Sequence, residues 1–82
     1  MHGGEINRVD KRAHKVVVND LSFKIIPASR LISANGQRTI VSDLEAGQVA
    51  GVDYRNQPGL GRVVERLRIF RPGREPRLDR DE

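Results

Sequence analysis

The chain has 82 residues, no cysteine, two histidines, and 15 Lys/Arg against 11 Asp/Glu for a net charge of +4. That length allows one compact core. Without cysteine neither disulfides nor thiolate metal sites can form, and His2 and His14 alone cannot build a zinc cage. The longest apolar runs, Val16-Val17-Val18 and Ile25-Ile26, fall far short of the roughly 20 residues that a membrane-crossing helix needs.

Met1-His2-Gly3-Gly4 reads as an added start on a trimmed sequence, and residues 1–3 are expected to be disordered. Gly4 to Asp10 is expected to form a strand. Its apolar residues, Ile6 and Val9, stand three apart rather than two, which weakens the strand pattern unless a bulge re-phases it. After the polar connection Lys11–His14, the β-branched run from Lys15 to Asn19 is the natural hairpin partner. Asn19-Asp20-Leu21-Ser22 supplies turn chemistry. Phe23 to Ile26 then reads as a third strand, with Phe23 and Ile25 on one face and Lys24 on the other. Pro27 removes a backbone donor and ends its central pairing.

Arg30–Ser33 and Gln37–Ile40 flank Asn35-Gly36, the strongest short hairpin signal in the chain. The segment from Ser42 to Gly47 reads as one helical turn. Ser42 is the expected cap, Asp43 and Glu45 suit the positive end of the dipole, and Gly47 is the left-handed residue that ends the turn. Gln48 to Arg55 resumes a strand in which either Val49 or Val52 faces inward, and Gly51 marks a bend or close approach. Asn56 to Gly61 has the composition of a flexible loop. Arg62 to Phe70 then alternates Val63, Glu65, Leu67 and Ile69 with Val64, Arg66, Arg68 and Phe70. From Arg71 onward Pro72, Gly73 and Pro76 stand among alternating charges, and residues 71–82 are expected to be disordered.

This pattern predicts an all-β domain over residues 4–70, a small five- to six-stranded antiparallel barrel with one helical turn at 42–47. The expected core is Ile6, Val9, Val16, Val18, Phe23, Ile25, Leu44, Val49 or Val52, Val63, Leu67 and Ile69.

No nucleophile–base motif or paired-carboxylate motif is recognisable, so the chain reads as non-enzymatic, with no cofactor and no metal. His14 lies in a polar turn. Asp10, Asp20, Asp43 and Asp53 match no calcium-loop spacing and read as turn and capping residues. Gly59-Leu60-Gly61 opens a strand rather than a helix, which removes the geometry of a phosphate loop.

Two surfaces carry the functional expectation. Arg62, Arg66 and Arg68 alternate on the last strand and form a candidate basic face, with Lys24, Arg38 and Arg55 near it. Single-stranded nucleic-acid binders on barrels of this kind add aromatic platforms to such a face, each worth about 1–3 kcal/mol per base. Only Phe23, Tyr54 and Phe70 are available here, and Phe23 is assigned to the core. The second surface is an exposed apolar contact at Leu31 or Ile32 with Arg30 and Arg38 as a basic rim, a place for a protein partner. Its competing reading is that the hairpin plugs one end of the barrel. Protein binding is the favoured function and nucleic-acid binding the alternative.

The order of elements, with Gly4-x-Ile6-x-x-Val9-Asp10, Val16-Val17-Val18-Asn19-Asp20-x-x-Phe23, Asp43-Leu44-x-x-Gly47-Gln48-x-x-x-Val52 and Arg62-Val63-Val64-x-x-Leu67-x-Ile69-Phe70, resembles small exported bacterial domains of OB-like barrel type. Within them it is most similar to short accessory proteins encoded with type IV pilus (fimbrial) biogenesis genes. The resemblance covers about residues 4–70 and rests on structural glycines, turns and core positions, which specify a fold better than an activity. It implies a non-enzymatic adaptor in the periplasm that contacts envelope or pilus-assembly proteins through a strand edge or the basic face. The lack of cysteine suits the cytoplasm equally.

Overall fold

In the computed structural model, which describes residues 2–70, the chain is a five-stranded β-barrel with one additional strand and one 3-10 turn. β1 (His2–Asp10) and β2 (Lys15–Val18) form the first hairpin, and β3 (Leu21–Lys24) follows β2 through the two-residue turn Asn19-Asp20. Both turn residues have positive φ, +48° and +69°. A two-residue turn that matches the right-handed twist of its strands requires that conformation, and Asn and Asp adopt it more readily than bulkier residues. β1 begins at His2 rather than at Gly4, because His2 and Gly3 pair with Val52 and Gly51. The sequence expectation of a disordered 1–3 is corrected to that extent. The expectation of a disordered tail at 71–82 lies outside the described residues.

A bulge does re-phase Ile6 and Val9. The register of β1 on β2 shifts between Ile6 and Arg8, so Asn7 is the extra residue. Its side-chain oxygen is not wasted, since it accepts the Asp20 N–H at 2.7 Å. The bulge lets Ile6 lie fully buried while Val9 packs against the core from its margin.

β5 (Val49–Gln57) and β6 (Gly61–Phe70) form the long hairpin. They extend further toward each other than expected: Asn56, Gln57 and Gly61 belong to the strands, leaving a tight loop at 58–60. β1 pairs with β5, and β3 returns to β6 in parallel at Lys24–Val63, which closes β1, β2, β3, β6 and β5 into a barrel. β4 (Arg30–Ile32) lies outside this ring and also runs parallel to β6, with Arg30, Leu31 and Ile32 beside Arg66, Leu67 and Arg68. The barrel is thus OB-like and mixed. The expectation of a wholly antiparallel sheet is corrected at the two seams with β6, because strands separated by so much chain are not tied to hairpin geometry.

β3 and β4 share one side of β6 end to end, and a gap in the ladder falls between them. Ser29 fills it. Its hydroxyl donates to the Val64 carbonyl at 2.5 Å and accepts the Ile26 N–H at 3.0 Å. It is the single buried polar residue among those described. A buried carbonyl or amide left without a partner costs more than an ordinary hydrogen bond contributes, so the hydroxyl completes pairing that neither strand reaches.

β6 also carries a bulge. Asp53 faces Arg66 and Tyr54 faces Val64, so Glu65 is the extra residue. Its consequence is a change of phase: Leu67 and Ile69 point inward beyond the bulge, and Val64 rather than Val63 continues that row into the central cluster. Val63 is fully buried too, but on the outer side of the sheet, in the row Lys15, Lys24, Val63, Arg55. On β5 the inward residues are Ala50 and Val52, and Val49 is exposed.

The helical turn is smaller than expected, a 3-10 turn at Val41–Asp43. Ser42 lies inside it instead of capping it. Its preceding residue is Ile40, with no side-chain cap. Gly47 does take the left-handed conformation, φ +96°, and its N–H bonds the Ile6 carbonyl at 2.8 Å. Leu44, just after the turn, is driven into the core and is fully buried.

Two variants test these local arguments. Ser29→Ala should lower stability by about 1–3 kcal/mol, since it orphans the Val64 carbonyl and the Ile26 amide; urea denaturation reads this as a lower midpoint at constant slope, and an unchanged midpoint refutes it. Asp20→Gly should raise stability by at most about 1 kcal/mol by relieving a left-handed non-glycine residue while leaving the amide to Asn7 intact; a lower melting temperature would contradict it.

Candidate protein-binding surface

The hairpin signal at Asn35-Gly36 is realised as a three-residue loop. Gly36 N–H bonds the Ser33 carbonyl, Ser33 N–H bonds the Gln37 carbonyl, and Gly36 is left-handed at φ +88°. The first arm is β4. The second arm is an extended segment at 37–40 that contacts β4 through the Ile32–Arg38 bridge and the Thr39 N–H to Leu31 carbonyl bond.

This arrangement separates the four predicted contact residues. Leu31 sits beside Leu67 and is 6% exposed, so it belongs to the core and is corrected as an exposed contact. Ile32, its neighbour, must point the other way and is half-buried on the outer face. The two side chains therefore part: Leu31 enters the core, as the plug reading expects, and Ile32 lies half-buried on the outer face. Arg30 and Arg38 are exposed.

Strand register brings the two predicted surfaces together. Residues paired across a sheet share a face, so Arg66 stands between Asp53 and Arg30, and Arg68 stands between Gly51 and Ile32, with Arg38 beyond Ile32. Four arginines surround one isoleucine. Arg62 does not join them, because the Glu65 bulge puts it out of phase with Arg66 and Arg68. The expectation of a face made by Arg62, Arg66 and Arg68 is corrected to Arg66 and Arg68 with Arg30 and Arg38. Lys24 and Arg55 instead flank Val63 from opposite sides of β6; Arg55 pairs with Glu65 at 3.2 Å and Lys24 Nζ donates to the Ala13 carbonyl at 3.3 Å.

Arg66 contacts Asp53 at 3.5 Å. Both groups are largely exposed, and such pairs contribute little to stability. Arg68 lies 6.0 Å from the centre of the Phe70 ring, which is itself exposed. Tyr54 packs edge-on against Phe23 at 5.1 Å, and the His2 ring lies 5.5 Å from Phe23 while its Nε2 bonds the Val18 carbonyl at 2.8 Å. Two of the three carbocyclic aromatic rings are thus committed to one another, leaving Phe70 as the aromatic on the arginine face.

A groove of about 420 Å³ opens where the 25–29 linker faces the 38–41 segment. Ile25, Ile26, Pro27, Leu31 and Ile40 make it apolar, with Arg38 on its wall. Ile40 is 62% exposed, more than any other large apolar residue described. Ile26 and Ile40 are not among the residues expected at a site from sequence. The signal available was that four branched apolar residues, Ile25, Ile26, Leu31 and Ile40, surround one proline in a span too short to bury them all.

Among the described residues no cluster of His, Asp or Glu could hold a metal ion, and no helix is long and apolar enough to cross a membrane. No family model, curated protein or solved structure matches the chain.

The different fates of Leu31 and Ile32 are measurable. Leu31→Ala should cost about 2–5 kcal/mol as a core truncation, whereas Ile32→Asp, placed between Arg38 and Arg68, should leave the thermal melt within a few degrees of the parent. The reverse order of effects would exchange their positions.

Proposed function

We propose that this protein is a non-enzymatic binding module that receives an extended segment of a partner protein along residues 38–40 and in the groove beside them. The observation that carries this reading is the free edge at the groove. The bonds of Ser33 to Gln37 and of Thr39 to Leu31 use the side of the segment that faces β4. Arg38, between them, directs its own N–H and carbonyl away from β4, and neither has a backbone partner among the described residues. Ile40 is extended, at φ −124° and ψ 165°. An exposed edge of this kind is a template for a further strand, and apolar pockets next to it select the side chains that the strand brings.

The resemblance of the chain to accessory proteins of type IV pilus biogenesis supports an envelope protein as the partner and the periplasm as the place of action. The nucleic-acid reading has less support, because stacking platforms are scarce: Tyr54 is packed on Phe23 and only Phe70 accompanies the arginines.

A peptide of alternating isoleucine and threonine serves as a probe. Its binding should slow hydrogen exchange at the Arg38 and Ile40 amides, and Ile40→Asp should weaken it at least tenfold with no change in melting temperature. Protection confined to other strands, or full affinity in the variant, would refute the assignment.

A further inference from the structure

We infer that the partner segment carries an acidic run next to its apolar anchor, and that Arg38, Arg30, Arg66 and Arg68 bind that run; this rests on the strand-addition reading above. The argument begins with a cost. Arg30 and Arg66 are directly in register on adjacent strands, some 4.8 Å apart at the backbone, where like charges destabilise a sheet. Among the described residues Asp53 pairs with Arg66, Glu65 with Arg55, and Asp43 accepts from the Thr39 hydroxyl at 2.7 Å. Arg30, Arg38 and Arg68 pair with no carboxylate among the described residues. Asp53 offsets part of the charge on Arg66, so the unmet positive charge rests on Arg30, Arg38 and Arg68, and an added anion would neutralise it.

Geometry indicates which anion. Arg66 and Arg68 are two residues apart on one strand, so their side chains emerge about 7 Å apart, the repeat at which an extended peptide presents successive side chains on one side. Guanidinium groups bind carboxylates in a bidentate manner, which suits glutamate and aspartate at that spacing. Arg38 links the two regions, since it lines the apolar groove and also flanks Ile32 on the arginine face. A segment that leaves the groove and turns across the outer face over Arg38 and Ile32 meets Arg68 in the same row and Arg30 and Arg66 in the next. The half-buried Ile32 at the centre gives an apolar floor beneath the ion pairs, where partial desolvation strengthens them. Polynucleotide phosphates have a similar spacing but no use for the groove, so the continuity of groove and stripe favours a polypeptide.

The test compares the alternating isoleucine–threonine peptide extended by an acidic run with the same peptide in which every acid is replaced by its amide, using the full chain and fluorescence anisotropy at low and high salt. The acidic peptide should bind at least tenfold tighter at low salt, and Arg66→Glu with Arg68→Glu should remove that advantage without altering affinity for the amide peptide or the thermal melt. Equal affinity of the two peptides would overturn the inference while leaving the groove reading intact, and binding of neither would end both. A single-stranded oligonucleotide that displaces the acidic peptide and shifts the Arg30, Arg66 and Arg68 resonances at micromolar concentration would assign the stripe to nucleic acid instead. If the double charge reversal unfolds the chain, Arg68→Gln alone should still reduce the salt dependence of acidic-peptide binding, and an unreduced dependence would refute the role of the stripe.

Discussion

One strand edge is asked to serve two partners, and the hydroxyl of Ser29 makes that possible. β6 pairs with β3 at Val63 and with β4 from Arg66 onward, and neither strand reaches the carbonyl of Val64 between them. A buried carbonyl cannot be left unpaired cheaply. Ser29 donates to it and at the same time accepts from Ile26, tying the linker that turns from β3 to β4. The closed barrel, the position of β4 outside it and the groove beside the linker all follow from that tie, because the same few residues shape all three.

Two bulges convert this frame into surfaces. Asn7 in β1 and Glu65 in β6 each add one residue and shift the phase of everything on one side of it. At Glu65 the shift puts Val64, Leu67 and Ile69 in one cluster and leaves Val63 to be covered on the outside by the row that includes Lys24 and Arg55. It also keeps Arg66 and Arg68 together on the outer face and removes Arg62 from it. The bulge thus helps to determine both the core and the composition of the basic stripe.

The proposed binding surface is consistent with how small barrels expose backbone. Closure removes edges from five strands, but an additional strand laid on the outside brings an edge back. Here β4 takes one edge of the 37–40 segment, and the other edge faces an apolar groove under an arginine wall. A partner strand would extend pairing that the fold leaves unfinished and would bring negative charge to a face where Arg30 stands in register with Arg66.

What the chain determined locally, it determined well. The β-branched run Val16–Val18 made a strand, Asn19-Asp20 and Asn35-Gly36 made turns, and Gly47 took the left-handed conformation, though in a separate turn at 45–48 rather than at the end of the helical one; the three-residue spacing of Ile6 and Val9 fits a strand because Asn7 bulges. These are short-range signals, each fixed by φ preferences or by the two-residue repeat of a strand. The nature of the candidate site was legible to the same degree: arginines around an apolar hairpin could be seen, but not which of them would meet. Tertiary structure alone decided that Leu31 enters the core beside Leu67 while Ile32 stays outside, that Val64 and not Val63 extends the inner row, and that Arg30 comes to lie against Arg66. Each of these depends on pairing between strands distant in sequence and on the exact position of a bulge. Alternation along β6 reads equally well in either phase until a partner strand selects one.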